Sequence, residues 1–337
     1  MVDFLETFNY TIFGIISGEK DQMIEVTNLV RRYGNHTAVD HASFKVEKGE
    51  IVGFLGPNGA GKSTTMNILT GYLSATEGMV KIDNQDILEY PREIKRKIGY
   101  LPENPPLYPD MTVREFLSFA GEIKGIASGK KKERMNRIME TTGIQNVSMR
   151  LIKNLSRGYK QRVGLAQAMI GDPEVLILDE PTSGLDPKQI LEIRDLVKEL
   201  GKEHTVILSS HILPEVSAVC PRVLIINRGK IVADGSPENL ARQILGGSHI
   251  LLRMDAAEAA VSKALGKLPS IQKLEFRESQ ERGTCEAVAE AMPDTDIRRD
   301  LSRALAAANI PILMMRSMDL SLEDIFLDLT GKEGGEQ

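Results

Sequence analysis

Short apolar runs alternate with helix-type patterns across residues 23–240. The strongest runs are 51–55, 175–178, 206–208 and 223–226, and helical spacing fills stretches such as 66–69 and 190–200. Continuous apolar runs are typical of parallel strands that are buried on both faces of a sheet. This part of the chain is therefore predicted to be an α/β domain.

Two further regions have different patterns. Residues 112–171 show helical periodicity without a strong strand, which predicts a helical subdomain inserted into the sheet domain. Residues 241–337 show predicted strands and helices in the order β-α-β-β-α-β, which indicates a small ferredoxin-like α+β domain. Ser321 and Asp324 form a candidate capping pair for a closing helix that ends at residue 329. Residues 1–22 match neither pattern and are treated as an N-terminal extension that need not be ordered.

The C-terminal region is divided as follows. Strands are predicted at 250–254, 271–277, 285–288 and 312–315, and helices at 256–268 and 297–308.

A glycine-rich segment, residues 56–64, follows the predicted strand at 50–55. It matches the complete phosphate-loop pattern G-x-x-x-x-G-K-[ST]. Its glycines let successive N–H groups point at phosphate oxygens, and the following helix adds its positive N-terminal end. Lys62 is predicted to neutralise β/γ-phosphate charge and Ser63 to ligate Mg²⁺. The predicted phosphate-binding residues are Gly56, Pro57, Asn58, Gly59, Ala60, Gly61, Lys62, Ser63 and Thr64.

Two acids, Asp179 and Glu180, end the apolar run at 175–178. Ligands of α/β sheets bind at the carboxyl ends of strands. Beside a phosphate loop, Asp179 is expected to hold Mg²⁺ and Glu180 to polarise the attacking water. The alternative is structural, since acids that end a strand also cap the next helix.

A second candidate anion site lies at residues 155–162, Leu-Ser-Arg-Gly-Tyr-Lys-Gln-Arg, which open an apolar-periodic helix. Ser156 and the helix N-terminus behind it are suited to bind an anion. Because residues 56–64 already serve the phosphates of one nucleotide, the second site makes sense if it serves a nucleotide held by another copy.

These motifs together resemble the nucleotide-binding subunits of ABC transporters over residues 23–240. Residues 56–64 look like Walker A, 175–180 like Walker B, 155–162 like the signature motif and 183–186 like the D-loop. The resemblance implies an ATPase whose cofactors are ATP and Mg²⁺. It implies catalytic roles for Glu180, Lys62 and the switch histidine His211. It further implies ATP contacts by Tyr33, which would stack on adenine, and by Ser156, Gly158, Gln161 and Asp186.

The sequence departs from the family pattern at two places. Arg157 and Tyr159 replace the usual Gly and Gln of the signature, and Glu103 replaces a Gln in the loop 100–103. A carboxylate at this position can still reach Mg²⁺ or the attacking water. The Leu-Pro-Glu form of this loop is similar to ABC-2-type exporter ATPases, including the gliding-motility and multidrug export branches.

The resemblance also implies partners. Two copies, or this chain and a homologous ATPase subunit, are expected to meet head to tail around two Mg-ATP. No stretch reaches the roughly 20 apolar residues needed to span a bilayer. We therefore expect a separate transmembrane permease subunit and a cytoplasmic, peripheral location on the cell membrane. The loop after Glu103 and residues 112–171 are the candidate docking surface, although the spacing of Phe116 and Phe119 favours a place in the subdomain core.

Composition limits other functions. The net charge is −5 with charges mixed along the chain, which argues against nucleic acid as the main partner. The two cysteines, Cys220 and Cys285, are far apart in sequence and are interpreted as reduced packing residues.

Two alternatives stay open. One is a soluble ATPase factor of the same superfamily that acts on ribosomes or DNA, although such proteins usually carry two cassettes in one chain or a long coiled-coil insertion. The other is a regulatory module that binds ATP without hydrolysing it. The joint presence of Ser63, Glu180 and His211 argues against the second alternative.

Overall fold

The computed structural model describes residues 21–126, 128–237, 239–240, 249–266, 268–277, 279, 281, 283–292 and 295–318. The chain divides into two compact units, 1–234 and 235–337. The boundary thus lies slightly before the predicted one at 240/241. Most of the predicted N-terminal extension, residues 1–20, and the predicted closing helix after Ser321 lie outside the described residues.

An antiparallel sheet opens the first unit. Its strand order is β2-β1-β4-β5, with strands β1 (Gln22–Tyr33), β2 (His36–Glu47), β4 (Glu77–Ile82) and β5 (Gln85–Asp86). The pairing of β1 with β2 shifts register between Val26 and Leu29, where Asn28 has a positive φ of 51°. Such bulges break the two-residue alternation of a strand.

A six-stranded sheet forms the centre of the first unit, in the order β10-β9-β3-β8-β7-β6. The strands are β3 (Ile51–Leu55), β6 (Ile98–Leu101), β7 (Val175–Asp179), β8 (Thr205–Ser210), β9 (Arg222–Asn227) and β10 (Lys230–Gly235). Strand β3 pairs in parallel with β8 and β9, and β7 pairs in parallel with β8 and β6. Every residue of β7 and β8 is buried, as their continuous apolar runs predicted. Parallel pairing brings the carboxyl ends of β3, β7 and β8 to one edge.

Seven helices accompany these sheets among the described residues of the first unit. They are α1 (Lys62–Leu69), α2 (Pro91–Lys97), α3 (Val113–Ile123), α4 (Ser128–Thr141), α5 (Arg157–Met169), α6 (Pro187–Leu200) and α7 (Leu213–Ser217). Helices α3, α4 and α5 share a core that includes Phe116, which is 4% exposed. The predicted core position of Phe116 is therefore confirmed, while Phe119 is half-buried and its ring centroid lies 5.6 Å from that of Tyr108.

The second unit has the predicted order of elements. It contains β11 (His249–Met254), α8 (Glu258–Leu265), β12 (Ile271–Arg277), β13 (Cys285–Ala291), α9 (Arg298–Ala307) and β14 (Ile312–Met318). All neighbouring strands pair antiparallel, in the order β12-β13-β11-β14. Its core is built by side chains from the sheet, such as Leu252, and from the helices, such as Val261 and Leu301.

Cys220 and Cys285 are both free and buried, which confirms their prediction as packing residues. Burial raises the pKa of Cys220 to about 12. Among the helices of the described ranges, none has both the length and the apolar character required to cross a bilayer.

Candidate active site

The phosphate loop lies between β3 and α1. Gly61, the N-cap of α1, has φ 106°, and a Cβ there would lie 2.4 Å from the carbonyl oxygen of Ala38, so only glycine fits this turn. The Lys62 ammonium donates hydrogen bonds to the carbonyl oxygens of Gly56 at 2.8 Å and Pro57 at 3.2 Å. The lysine therefore lies across the inside of the loop, where its charge faces any phosphate that the loop binds.

Glu180 lies between two groups at the sheet edge. Its Oε1 is 3.4 Å from Lys62 Nζ, and its Oε2 is 2.9 Å from His211 Nδ1. Glu180 and Lys62 are each 6% exposed. The three side chains that were predicted to be catalytic thus form one contiguous group.

The backbone of Glu180 is strained. Its φ of 49° lies in the left-handed region, which costs a non-glycine residue about 1–2 kcal/mol. Its N–H donates to the carbonyl and the hydroxyl oxygen of Ser209, at 3.2 and 3.1 Å. Hydrogen bonds from the neighbouring strand β8 therefore hold the carboxylate in a conformation that the free chain would avoid. Strain of this kind concentrates at functional sites.

Asp179 is 2% exposed and ends strand β7. The Ser209 hydroxyl donates to its Oδ1. Burial, and then the charge of Asp179, raise the pKa of the Tyr100 phenol above its usual value. Asp179 is not among the residues that line the cleft described next.

A cleft of about 530 Å³ joins these groups. It brings together Tyr33, Glu103, Glu180 and His211 with six residues of the phosphate loop and the start of α1. These six are Asn58, Gly59, Gly61, Lys62, Ser63 and Thr64. His36 and Ala38 line the same cleft and were not predicted. Ser183, which begins the predicted D-loop 183–186, also lines it, although only Asp186 of that segment was predicted to contact ATP. β1 ends at Tyr33 and β2 begins at His36, so a tight turn keeps the two residues close. Recognising this β-hairpin in the sequence would have placed His36 near Tyr33.

Tyr33 lies at the rim of this cleft and is 43% exposed. The guanidinium carbon of Arg31 lies 4.7 Å from the ring centroid, so a cation covers part of the ring. An exposed aromatic ring at the rim is suited to stack on a planar base.

The donor atoms at the site fit Mg²⁺. Within the described part of the chain, no three His, Cys, Asp or Glu side chains cluster as a metal site would require. Mg²⁺ needs no such cluster, since it binds one or two carboxylates together with water and substrate phosphates. The Ser63 hydroxyl and the Glu103 and Asp179 carboxylates are oxygen donors of this type, and Ser63 and Glu103 line the cleft.

The residues of 155–162 lie elsewhere. Ser156 caps α5 and accepts a hydrogen bond from the Tyr159 N–H at 3.4 Å, and Gln161 is 4% exposed with its Nε2 unpaired. Ser156 and Gly158 line a second cleft of about 690 Å³, and Asp186 caps α6 by accepting from Gln189 N at 2.9 Å. Among the described residues, Ser156, Gly158, Gln161 and Asp186 do not line the cleft around Lys62. One chain therefore carries two separate groups of predicted nucleotide contacts.

A phosphate loop on a parallel sheet, with a strand-end carboxylate against its lysine, defines a P-loop ATPase. Comparisons with known proteins narrow this class. Residues 39–183 match the family model described as ABC transporter. The chain is 32% identical over 311 residues to the linearmycin resistance ATP-binding protein LnrL of Bacillus subtilis (strain 168), covering 92% of this chain and 99% of that protein. It is 41% identical over 214 residues to the bacitracin transport ATP-binding protein BcrA of Bacillus licheniformis, covering 63% of this chain and 69% of that protein.

A solved structure is also similar. It is the dimeric, post-hydrolysis form of the ATP-binding cassette MJ0796 bound to ADP and Pi, with a TM-score of 0.58 and 26% identity over 64% of this chain and 98% of that one. The chain belongs to the ABC transporter ATP-binding proteins and is an ATP-hydrolysing subunit of a transporter.

Proposed function

We propose that two copies of this chain, or this chain and a homologous ATPase subunit, close head to tail around two Mg-ATP and power a separate ABC-2-type permease. The observation that carries the proposal is the separation of the predicted nucleotide contacts: one group lines the cleft around Lys62, and Ser156 and Gly158 line another. If the cleft of one copy faces the Ser156 segment of the other, each nucleotide gains contacts from both.

Each group in the Lys62 cleft has a role in this proposal. Lys62 neutralises phosphate charge, Glu180 polarises the attacking water, and His211 orients Glu180 and senses the γ-phosphate. Tyr33 stacks on the adenine. Ser63, Asp179 and Glu103 would hold Mg²⁺, which would supply positive charge to the phosphates.

The Ser156 segment supplies the second half of the site. Ser156 and the N–H groups that begin α5 offer donors to an anion, and Gln161 Nε2 is a further unpaired donor. Closure then depends on the γ-phosphate, because only it presents charge to both faces at once. Hydrolysis removes this link and the pair loosens.

The names of the relatives support export. BcrA is named for bacitracin transport and LnrL for linearmycin resistance. The proposed permease contact is the loop after Glu103 together with α3 to α5. Tyr108, which is 50% exposed, lies in that loop and its ring contacts those of Phe116 and Phe119.

Association of the purified Glu180→Gln variant tests the dimer. With Mg-ATP it should shift from monomer to dimer in light scattering, because ATP binds and is not consumed. Adding Ser156→Arg should abolish the shift, since a bulky cation replaces the capping hydroxyl, whereas Ser262→Ala on the exposed face of α8 should leave it intact. A protein that stays monomeric with bound ATP would contradict the head-to-tail arrangement.

Co-purification tests the partner. The tagged chain extracted with mild detergent from its native membranes should retain a polytopic membrane protein. Recovery of ribosomes or DNA in its place would support the alternative of an ATPase factor outside transport.

A further inference from the structure

Glu215 is a buried carboxylate to which the proposed mechanism assigns no role. It lies in the short helix α7 and is 5% exposed. Burial of an ionisable group is costly unless hydrogen bonds compensate. The partners of Glu215 therefore indicate what its position achieves.

Both hydrogen-bond partners of Glu215 lie within two residues of the proposed catalytic side chains. Glu215 Oε2 accepts a short hydrogen bond from the Thr182 hydroxyl and a second from the Ser210 hydroxyl at 3.5 Å. Thr182 lies two residues after Glu180, and Ser210 directly precedes His211. Both hydroxyl residues are themselves buried.

Ser210 extends the network to the phosphate loop. Its hydroxyl accepts a hydrogen bond from Ile212 N at 3.0 Å, and its carbonyl oxygen accepts one from Gly56 N at 3.4 Å. The Glu215 carboxylate thus bonds to Thr182, which follows Glu180, and to Ser210, which precedes His211. Ser210 in turn contacts the start of the phosphate loop.

The helix that carries Glu215 is held firmly. Val216, which follows Glu215, is fully buried, and a Cβ added at Gly53 in β3 would lie 2.0 Å from its Cγ1. Gly53 thus lets α7 pack closely against β3, the strand that leads into the phosphate loop. Glu215, which accepts the two hydrogen bonds, therefore lies on a helix whose position is set by close packing against β3.

We propose that Glu215 is a positioning residue that keeps Glu180 and His211 in register through its hydrogen bonds to Thr182 and Ser210. This inference rests on the proposed roles of Glu180 and His211. It adds that the relative position of Glu180 and His211 is set by a residue that does not line the nucleotide cleft. Among the described lining residues of that cleft, neither Glu215 nor Thr182 occurs.

Removing either the Glu215 carboxylate or the Thr182 hydroxyl should lower the rate of hydrolysis in the same way. Charge-assisted hydrogen bonds are about twice as strong as neutral ones, so an amide at position 215 holds the threonine less firmly. Displacement of a catalytic group by about 1 Å can cost on the order of a hundredfold in rate. The ground-state contacts of ATP with residues 56–64 do not involve Glu215, so the affinity for ATP should change little.

The test compares Glu215→Gln, Thr182→Val and Thr182→Ser in steady-state phosphate release and in equilibrium binding of a fluorescent ATP analogue. Glu215→Gln and Thr182→Val should each lower kcat by about tenfold or more, with less than about a threefold change in nucleotide Kd. Thr182→Ser keeps the hydroxyl and should restore most of the rate. The double variant Glu215→Gln/Thr182→Val should be no slower than the poorer single variant, because both changes break one interaction.

Thr142→Val is the matched control. Thr142 is likewise a buried threonine, and its hydroxyl donates to the Ile138 carbonyl oxygen at 2.7 Å, within the helical subdomain. Its replacement should lower the melting temperature and leave kcat unchanged. A kcat loss in Thr142→Val equal to that of Thr182→Val would reduce the effect to general loss of stability and overturn the proposal.

Glu180→Gln, assayed in parallel, distinguishes a failure of the proposed role of Glu180 from a failure of the proposed role of Glu215. If it hydrolyses ATP at the wild-type rate, the proposed role of Glu180 fails. If it is inactive while Glu215→Gln and Thr182→Val are folded and fully active, the proposed function stands and the positioning role of Glu215 is wrong.

Discussion

The carboxylate of Glu180 is shared between a lysine and a histidine: His211 Nδ1 lies 2.9 Å from one oxygen and Lys62 Nζ lies 3.4 Å from the other. The three residues come from three separate places in the chain: Glu180 directly follows β7, His211 directly follows β8, and Lys62 begins α1. Parallel pairing of β7 with β8 and of β8 with β3 brings them together. The pairing of the strands thus determines the geometry of this candidate catalytic group.

His211→Ala should lower kcat for ATP by about a hundredfold or more, in the range attributed to a positioned acid–base group. The KM for ATP should change much less than kcat, because Lys62 and the rest of residues 56–64 supply most of the proposed phosphate contacts, whereas the imidazole hydrogen-bonds to Glu180. Phosphate release at saturating Mg-ATP measures the effect. His41→Ala, at an exposed histidine in β2 that bonds to Asn28, is the matched control and should behave as wild type. A His211→Ala variant with normal kcat and a raised KM would show that the histidine binds nucleotide and does not orient Glu180.

Glu103→Gln should retain ATPase activity while requiring more Mg²⁺. Glu103 lines the cleft and its Oε1 accepts a hydrogen bond from Ser183 Oγ at 3.5 Å, which an amide oxygen can also accept. The amide lacks the charge that attracts a divalent cation, so the Mg²⁺ concentration at half-maximal rate should rise several-fold. A titration of Mg²⁺ at fixed ATP measures this shift. An unchanged Mg²⁺ requirement would remove Glu103 from the predicted metal ligands.

Gly184→Ala should impair hydrolysis, and a smaller residue at position 157 should relieve part of the defect. Gly184 has φ 69°, and a Cβ there would lie 2.4 Å from the guanidinium carbon of Arg157. The added methyl would push the guanidinium of Arg157 out of its place between residues 155–162 and 183–186, and the left-handed backbone at position 184 would add strain. The double variant Gly184→Ala/Arg157→Gly should hydrolyse ATP faster than Gly184→Ala alone, with the remaining deficit due to the left-handed backbone. If the second change brings no recovery, the contact between the two segments has no bearing on turnover.

The part of the site that could be predicted from sequence consists of contiguous motifs. Residues 56–64 and the acids Asp179 and Glu180 follow buried apolar strands, so their chemistry and their place at the sheet edge are both local information. His211 was found only through the family resemblance, because one histidine after a strand has no distinctive pattern.

The residues that were missed depend on tertiary contacts. Glu215 lies in a five-residue helix with Pro214 at its start, too short to show amphipathic periodicity, and its role comes from Thr182, which is distant in sequence. Strand β6 was interpreted as part of the loop 100–103, whereas Tyr100 and Leu101 end a strand that pairs with β7. The four residues of β6, followed by a proline, are too few to show a strand pattern in the sequence. Their strand conformation is recognisable only from their pairing with β7.

Thr112→Ala should destabilise the helical subdomain by about 1 kcal/mol, the usual effect of removing an N-cap. Thr112 and Glu115 form a capping box at the start of α3: the Thr112 hydroxyl oxygen accepts from Glu115 N at 3.3 Å, and Glu115 Oε2 accepts from Thr112 N at 2.8 Å. Hydrogen bonds from the Thr112 backbone and then from its side chain lower the pKa of Glu115 below the usual value.

A carboxyl with a lowered folded-state pKa stabilises the fold at pH values above its usual pKa, and this contribution is lost as pH falls through the lowered value. The difference between Thr112→Ala and wild type should therefore be larger at pH 7 than in strongly acidic buffer. Urea unfolding followed by circular dichroism at both pH values measures it, with Thr141→Ala at an exposed position in α4 expected to stay within about 0.5 kcal/mol of wild type. A Thr112→Ala penalty that does not change with pH would mean that the hydroxyl contributes through the Glu115 N–H alone and not through the carboxylate.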